Sequence, residues 1–254
     1  MGEKFLWRLK KFFLGDCDFL VRKDDASKKE KKASYRKKGR KQGKKKSSSE
    51  KLDRWFLPSM PIEPLTKYNM KVGLAGTHGV GKTTLAYFLT AKLKERGMKV
   101  EMVTEVAREC PFSVNEQSDF DAQFWILAMQ LARELEAGNR AELIVTDRTV
   151  VDNFAYACYA YEHGKMNKHE QEEMHRVVKF WLERQPYSFI FIVEPLEDIQ
   201  DDGFRSTDSQ FQMEIREILN SLLEEANWKF EVIGGTGGER VEKILRVLEK
   251  EGYL

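Results

Sequence analysis

At 254 residues the chain can hold one sizeable domain, and its formal net charge of +2 conceals two opposed regions. Residues 1–46 carry +12, which leaves −10 on the remainder, so a basic arm precedes an acidic body. Three cysteines without paired spacing (Cys17, Cys110, Cys158) argue against a disulfide framework and for a reducing compartment, and no run of about 20 apolar residues is present to span a bilayer.

The arm comes first. Phe5, Leu6, Leu9, Phe12 and Phe13 share one helical face while Lys4, Arg8, Lys10 and Lys11 lie elsewhere, which predicts an amphipathic helix within residues 1–20. Trp7 and Leu14 interrupt that division. Residues 21–54 are dominated by runs such as Lys37-Lys38-Gly39-Arg40-Lys41 and Lys44-Lys45-Lys46 and hold too little apolar surface to order, so a disordered polybasic linker is expected. An aromatic amphipathic helix beside clustered lysines supplies two signals for an anionic membrane surface, with each basic residue contributing about 1 kcal/mol. Loose nucleic-acid binding is the less favoured reading, and a solvated linker is the third. Pro58, Pro61 and Pro64 forbid a helix interior, so the domain spanning 55–254 begins with an extended lead-in.

The body is organised around Gly76-Thr77-His78-Gly79-Val80-Gly81-Lys82-Thr83, a G-x-x-x-x-G-K-T match. An apolar run at 70–75 reads as a strand entering it, and helical spacing from Thr84 onward reads as a helix leaving it. That context turns the motif into a phosphate loop, the P-loop. Its backbone N–H groups converge on an anion, and the helix adds its positive dipole end. Residues 76–84 are therefore expected to bind a nucleoside triphosphate, with Lys82 on the β- and γ-phosphates and Thr83 holding Mg²⁺.

Gly97 reads as the stop of that helix, and residues 99–103 as a second strand. Strand ends beside a phosphate loop are where open α/β sheets place ligand groups. Glu105 is thus a candidate to orient a substrate hydroxyl or act as base, and Arg108 to hold an anion. Phe120, Phe124, Leu127, Leu131 and Leu135 predict a long packed helix from 115 to 137, stopped by Gly138. The apolar strand 143–147 ends in Asp147, the expected second half of a Mg²⁺ site, and Arg148 beside it can reach phosphate. Helices are predicted over 150–162 and 168–184, a strand over 188–193, and a helix over 210–225. Between the last two, residues 201–208 have the polar character of a lid, with Arg205 a candidate for the transferring phosphoryl group. A fifth strand at 229–233, a glycine-rich loop and an amphipathic helix complete the chain. Five strands alternating with helices specify a doubly wound α/β fold, a five-stranded parallel sheet with helices on both faces. Placing the Asp147 strand beside the phosphate-loop strand gives the order 2-3-1-4-5.

The phosphate loop, the Glu105/Arg108 pair, the run Thr146-Asp147-Arg148-Thr149-Val150-Val151-Asp152-Asn153 and the 204–208 lid together resemble the NadR-like AAA-type P-loop ATPase/kinase family. That family includes the nicotinamide riboside kinase part of the bifunctional NAD regulator. It also has an animal branch of TRP-translocation-defect type that binds GTP and phospholipid. The resemblance covers about residues 68–250. It implies ATP or GTP on the loop, magnesium near Thr83 and Asp147, and an acceptor pocket near Glu105 and Asp152. Two functions stay open. One is a small-molecule kinase acting on a nucleoside-like hydroxyl, with Lys82, Arg148, Arg205 and Glu105 or Asp147 in the chemistry. The other is a nucleotide-dependent, membrane-associated switch. A nucleic-acid-linked ATPase is the third possibility. The expected location is the cytoplasm, and the arm adds peripheral attachment at the inner membrane surface as an alternative.

Overall fold

Alternation along one strand assigns the two faces of the sheet. In β1 (Met70–Ala75), Met70, Val72 and Leu74 enter a large apolar core, and the intervening Lys71 and Gly73 turn to the opposite side. The computed structural model describes residues 70–195, 209–226 and 228–254, which belong to the unit Pro64–Leu254. The expected amphipathic helix, polybasic linker and proline-rich lead-in, and the 204–208 lid with Arg205, lie outside the described residues.

β1 pairs in parallel with β3 (Leu143–Asp147) on one side and β4 (Phe189–Val193) on the other. β2 (Val100–Val103) flanks β3, and β5 (Phe230–Ile233) flanks β4, so the order is 2-3-1-4-5, as the Asp147 strand required. β1, β3 and β4 are buried along their whole length. Parallel strands covered on both faces lose the apolar–polar alternation, which is why they read as unbroken apolar runs.

α1 (Lys82–Glu95) and α6 (Gly237–Lys250) cover one face, where Leu85, Leu89, Leu93, Ile244 and Leu248 meet Val72 and Leu74. On the other face α2 (Phe120–Arg140) lies against β2 and β3. α3 (Val150–Glu162) packs on α2, on α4 (Lys168–Arg184) and on α5 (Ser209–Glu225). Capping boxes start three of these helices: Thr149 with Asp152 at α3, Asn167 with Glu170 at α4, and Thr236 with Glu239 at α6.

Helix α2 departs from its pattern. It begins at Phe120 rather than Asn115, because Asn115 sits at φ 62° and the Asp119 side chain accepts the Ala122 N–H as an N-cap. It continues through Gly138, where Ala137 packs on Val103 and Ile144. Phe124 and Leu135 are 43% and 49% exposed, whereas Gln130 and Glu134 point inward.

Those two polar residues serve Lys71, the charge at the centre of the sheet. The Lys71 Nζ donates to Glu134 Oε2 at 2.7 Å and to the Gln185 carbonyl at 2.6 Å, and lies 3.9 Å from the Tyr187 ring centre. Glu134 also accepts from Trp181 Nε1 at 2.8 Å, Tyr187 Oη at 2.6 Å and Gln130 Nε2 at 3.0 Å. Burial pushes the Lys71 ammonium below its ordinary value, and Glu134 opposes that shift. Beside it, a Cβ on Gly73 would stand 2.5 Å from Thr149 Cγ2, so only glycine fits there.

Glu134→Gln strands the buried lysine and is expected to cost about 3–5 kcal/mol in urea denaturation. The double change Lys71→Met/Glu134→Leu removes both charges and should recover much of that loss. Equal losses in the single and double variants would mean that the pair acts only through packing.

Candidate active site at the phosphate loop

The chain leaves β1 into a loop that the fold grips at its entrance. Gly76 adopts φ +136°, and a Cβ there would stand 2.9 Å from the Val193 carbonyl, so the loop can pass β4 only with glycine. The Gly76 N–H donates to Asp152 Oδ1 at 2.8 Å. Asp152 Oδ2 accepts from the Thr149 N–H at 2.8 Å and from Thr149 Oγ1 at 2.6 Å. Asp152, expected beside an acceptor, thus spends both oxygens on the chain, fastening the start of α3 to the start of the loop.

Lys82 closes the loop from inside, donating to the carbonyls of Gly76 at 2.9 Å and Thr77 at 2.5 Å. Burial and then Arg148 lower its ammonium to about 8, against the opposing pull of Asp152, Asp147 and Glu105. Parallel pairing sets Leu74 opposite Asp147, which brings the strand end carrying the acid beside the loop. There Thr83 Oγ1 donates to Asp147 Oδ2 at 2.5 Å. Asp147 Oδ1 is buried without a hydrogen-bond partner among the described residues. Burial pushes the Asp147 carboxyl above its ordinary value, with Lys82 and Thr83 pulling the other way. Within the motif Thr77, His78 and Val80 are buried. Thr84, the third residue of α1, is exposed.

Beside the loop opens a cleft of about 430 Å³, its mouth included, lined by His78, Glu105, Ser118, Arg148, Asn153 and Tyr156 among others. Arg148 follows Asp147 at φ 90°, a conformation that a bulky residue adopts only when its surroundings hold it. Its N–H donates to the Leu74 carbonyl at 3.1 Å, and its own carbonyl accepts from Gln130 at 3.3 Å. So fixed, its Nε reaches Glu105 Oε1 at 2.6 Å while the guanidinium lies 5.0 Å from the Tyr156 ring centre. Arg108 pairs with Glu105 Oε2 at 3.4 Å but is not among the cleft-lining residues. His78 belongs to both sites: its Nδ1 is 3.1 Å from Tyr156 Oη, and its ring is 5.4 Å from that of Phe211 on α5.

The cleft also contains groups that the motifs do not mark. Ser118 Oγ and Asn153 Nδ2 are buried without hydrogen-bond partners among the described residues. Such atoms cost about 1–3 kcal/mol each unless a ligand or water satisfies them. Asn153 closes the run that begins at Thr146, whereas Ser118 sits between a short 3₁₀ turn and α2 and carries no sequence signal.

A 2-3-1-4-5 parallel sheet, a glycine loop after its central strand with the lysine turned inside, and a Thr–Asp contact across the β1/β3 junction define the P-loop NTPase class. The chain belongs to the AAA-domain family, whose model matches residues 71–240, in agreement with the NadR-like AAA-type resemblance of its motifs. Comparison with curated protein sequences gives no match. Among solved structures, the fold is similar to deoxyadenosine kinase from M. mycoides with products dCMP and a flexible dCDP bound. The identity there is 15% and the TM-score 0.55, over 71% of this chain and 100% of that one. It is also similar to NadR protein in complex with NAD and AMP-PNP, at 16% identity and TM-score 0.57, over 74% of this chain and 50% of that one. NadR protein in complex with NR gives 19% identity and TM-score 0.55, over 72% of this chain and 51% of that one. The chain therefore spans about half of NadR.

The Lys82 value makes a signed prediction for the ligand-free protein in chelator. Its ammonium loses its proton near pH 8 when folded and about two units higher when unfolded, so between those values the unfolded chain binds more protons. Stability should rise with pH across that window. Lys82→Met should abolish the part of the rise that this residue contributes, read as the wild-type minus variant difference in denaturation midpoint. Parallel profiles for the two proteins would contradict it.

Proposed function

We propose that the protein is a small-molecule kinase that transfers the γ-phosphoryl group of ATP to a hydroxyl of a nucleoside-like acceptor, with GTP as an alternative donor. The observation that carries this reading is the cleft beside the phosphate loop, which has a fixed Glu105–Arg148 pair on its wall and His78 of the loop as a shared boundary. A protein that only bound and hydrolysed a triphosphate would not require it.

In this mechanism the backbone of residues 76–84 and Lys82 hold the phosphates of the donor. Thr83 and Asp147 fit a magnesium ion, because a hydroxyl meets the carboxylate at one oxygen and the other oxygen is buried without a partner among the described residues. Bound there, Mg²⁺ would neutralise charge on the β- and γ-phosphates. Glu105 orients the acceptor hydroxyl and receives its proton as oxygen attacks the γ-phosphorus and the nucleoside diphosphate departs. Arg148, held at the junction of loop and cleft, stabilises charge on the transferring group, and Arg205 is the further cation proposed for that task. Ser118 and Asn153 hydrogen-bond the acceptor, which accounts for polar atoms left unmatched among the described residues. Asp152 and Arg108 act on the acceptor indirectly, through the loop entrance and through Glu105.

A membrane-associated nucleotide switch is the second reading, favoured by the net charge of +12 on residues 1–46. Among the described residues no helix is long and apolar enough to cross a membrane, so attachment would be peripheral and through the arm. Its target is then the anionic inner membrane surface facing the cytoplasm, ahead of nucleic acid.

Incubation with Mg·ATP or Mg·GTP and a panel of nucleosides, followed by product analysis, separates the two. A phosphorylated nucleoside is the expected product, and Lys82→Ala should abolish it. Asn153→Ala should raise the acceptor KM about tenfold while leaving that for ATP unchanged, the size of one lost buried hydrogen bond. Triphosphate hydrolysis with every nucleoside left unmodified would overturn the kinase in favour of the switch.

A further inference from the structure

Arg240 lies in the first turns of α6, outside every motif, and is 2% exposed. It reaches back 160 residues to the crest of the phosphate loop, where its Nη1 donates to the Val80 carbonyl at 2.7 Å. Nη2 donates to the Glu194 carbonyl at 2.9 Å, one residue beyond β4. One planar guanidinium therefore joins the loop, the end of a central strand and the last helix. Its place is itself fixed: Thr236 and Glu239 cap α6, with the Thr236 N–H donating to Glu239 Oε2 at 2.8 Å.

The consequence follows from peptide geometry. The Val80–Gly81 peptide is trans, so its N–H points opposite to its C=O. Holding the Val80 carbonyl toward α6 turns the Gly81 N–H away from α6 and into the loop. That N–H precedes Lys82 and the start of α1, where an anion nest needs its donors to converge. Without Arg240 the peptide could rotate, because glycine at 81 offers little torsional resistance. The nest would then have to spend binding energy ordering itself around each phosphate chain.

We propose that Arg240 is a positioning residue for the phosphate loop: it aims the Gly81 N–H at the bound polyphosphate by holding the opposite end of that peptide against α6. This rests on the phosphate-binding half of the function proposed above, and it does not depend on the acceptor. It makes two carbonyls, those of Val80 and Glu194, the functional partners of the side chain. Charge alone does not suffice, since a lysine cannot bridge both in the fork geometry of arginine.

The test uses the full chain with Arg240→Lys and Arg240→Gln, with titration calorimetry against Mg·ATP and against magnesium tripolyphosphate, which reads the nest without a base. Lys243→Gln is the control, because Lys243 sits one turn further along α6 and donates to the Gly234 carbonyl from an exposed position. Both Arg240 variants should lose about tenfold in affinity for ATP and tripolyphosphate alike, the scale of a buried hydrogen-bonding group removed, while the control stays within twofold. Saturating ATP should restore kcat, which a loss of fold would not allow. Unchanged polyphosphate affinity in Arg240→Lys would overturn the proposal, because charge would then suffice without the bridge. Should Arg240→Gln fail to fold, Arg240→Lys alone decides the matter. A wild-type protein that binds neither probe would instead refute the underlying reading of residues 76–83.

Discussion

A single buried ion pair sets the geometry on which the candidate site rests. Lys71 stands in the central strand where an apolar residue would be usual, and Glu134 of α2 neutralises it from the covering layer. Removing two charges from water costs several kcal/mol per ion, so the arrangement holds only because almost every remaining polar valence is met. Gln130, Trp181 and Tyr187 donate to the carboxylate, and the Gln185 carbonyl takes another proton of the ammonium. Two of those donors continue toward the site. Gln130 also reaches the Arg148 carbonyl, and the hydroxyl of Tyr187 accepts from the Val150 N–H at 3.1 Å. The turn from Asp147 to Val150 is thus hung from the same network that locks β1 to α2 and α4. A strained residue such as Arg148 needs that kind of backing, because its φ would otherwise relax.

The phosphate loop is held on several sides, twice by groups distant in sequence. Asp152 takes the N–H at its entrance, Lys82 gathers two carbonyls from within, and Arg240 takes a carbonyl at its crest. These contacts fix the planes of the peptides that carry the loop N–H groups. Lys82 lies inside the loop, where burial lowers its ammonium to about 8. A polyphosphate bound there would exchange two carbonyl contacts for charged oxygens and raise that value.

The loop and the cleft meet at His78, Arg148 and Tyr156. Tyr156 touches both the imidazole of the loop and the guanidinium that pairs with Glu105. Phe211 extends this contact to α5, the helix that follows residues 196–208 in the chain. Dense packing around these rings makes the boundary between loop and cleft a rigid one.

Much of this was legible without coordinates. The P-loop, the strand ending in Asp147, the order of the sheet and the limits of α3 and α4 all follow from rules that act within about ten residues: glycine spacing, apolar period and capping. The partnership of Thr83 with Asp147 also follows, once two parallel strands are set side by side. What no local rule could supply was which polar residue faces which. Glu134 lay outside the apolar pattern and is buried, while Phe124 and Leu135 belonged to that pattern and are exposed, because the inward face of α2 is dictated by a lysine 63 residues away. Asp152 reads as a ligand group in the sequence and serves in the fold as a fastening for the loop. Ser118 enters the cleft only because two short turns deliver it there. The chain's own chemistry therefore determined that a P-loop nest would form. Packing between remote elements decided how that nest is braced and what stands beside it, since a hydrogen bond between distant residues exists only after the layers that carry them have met.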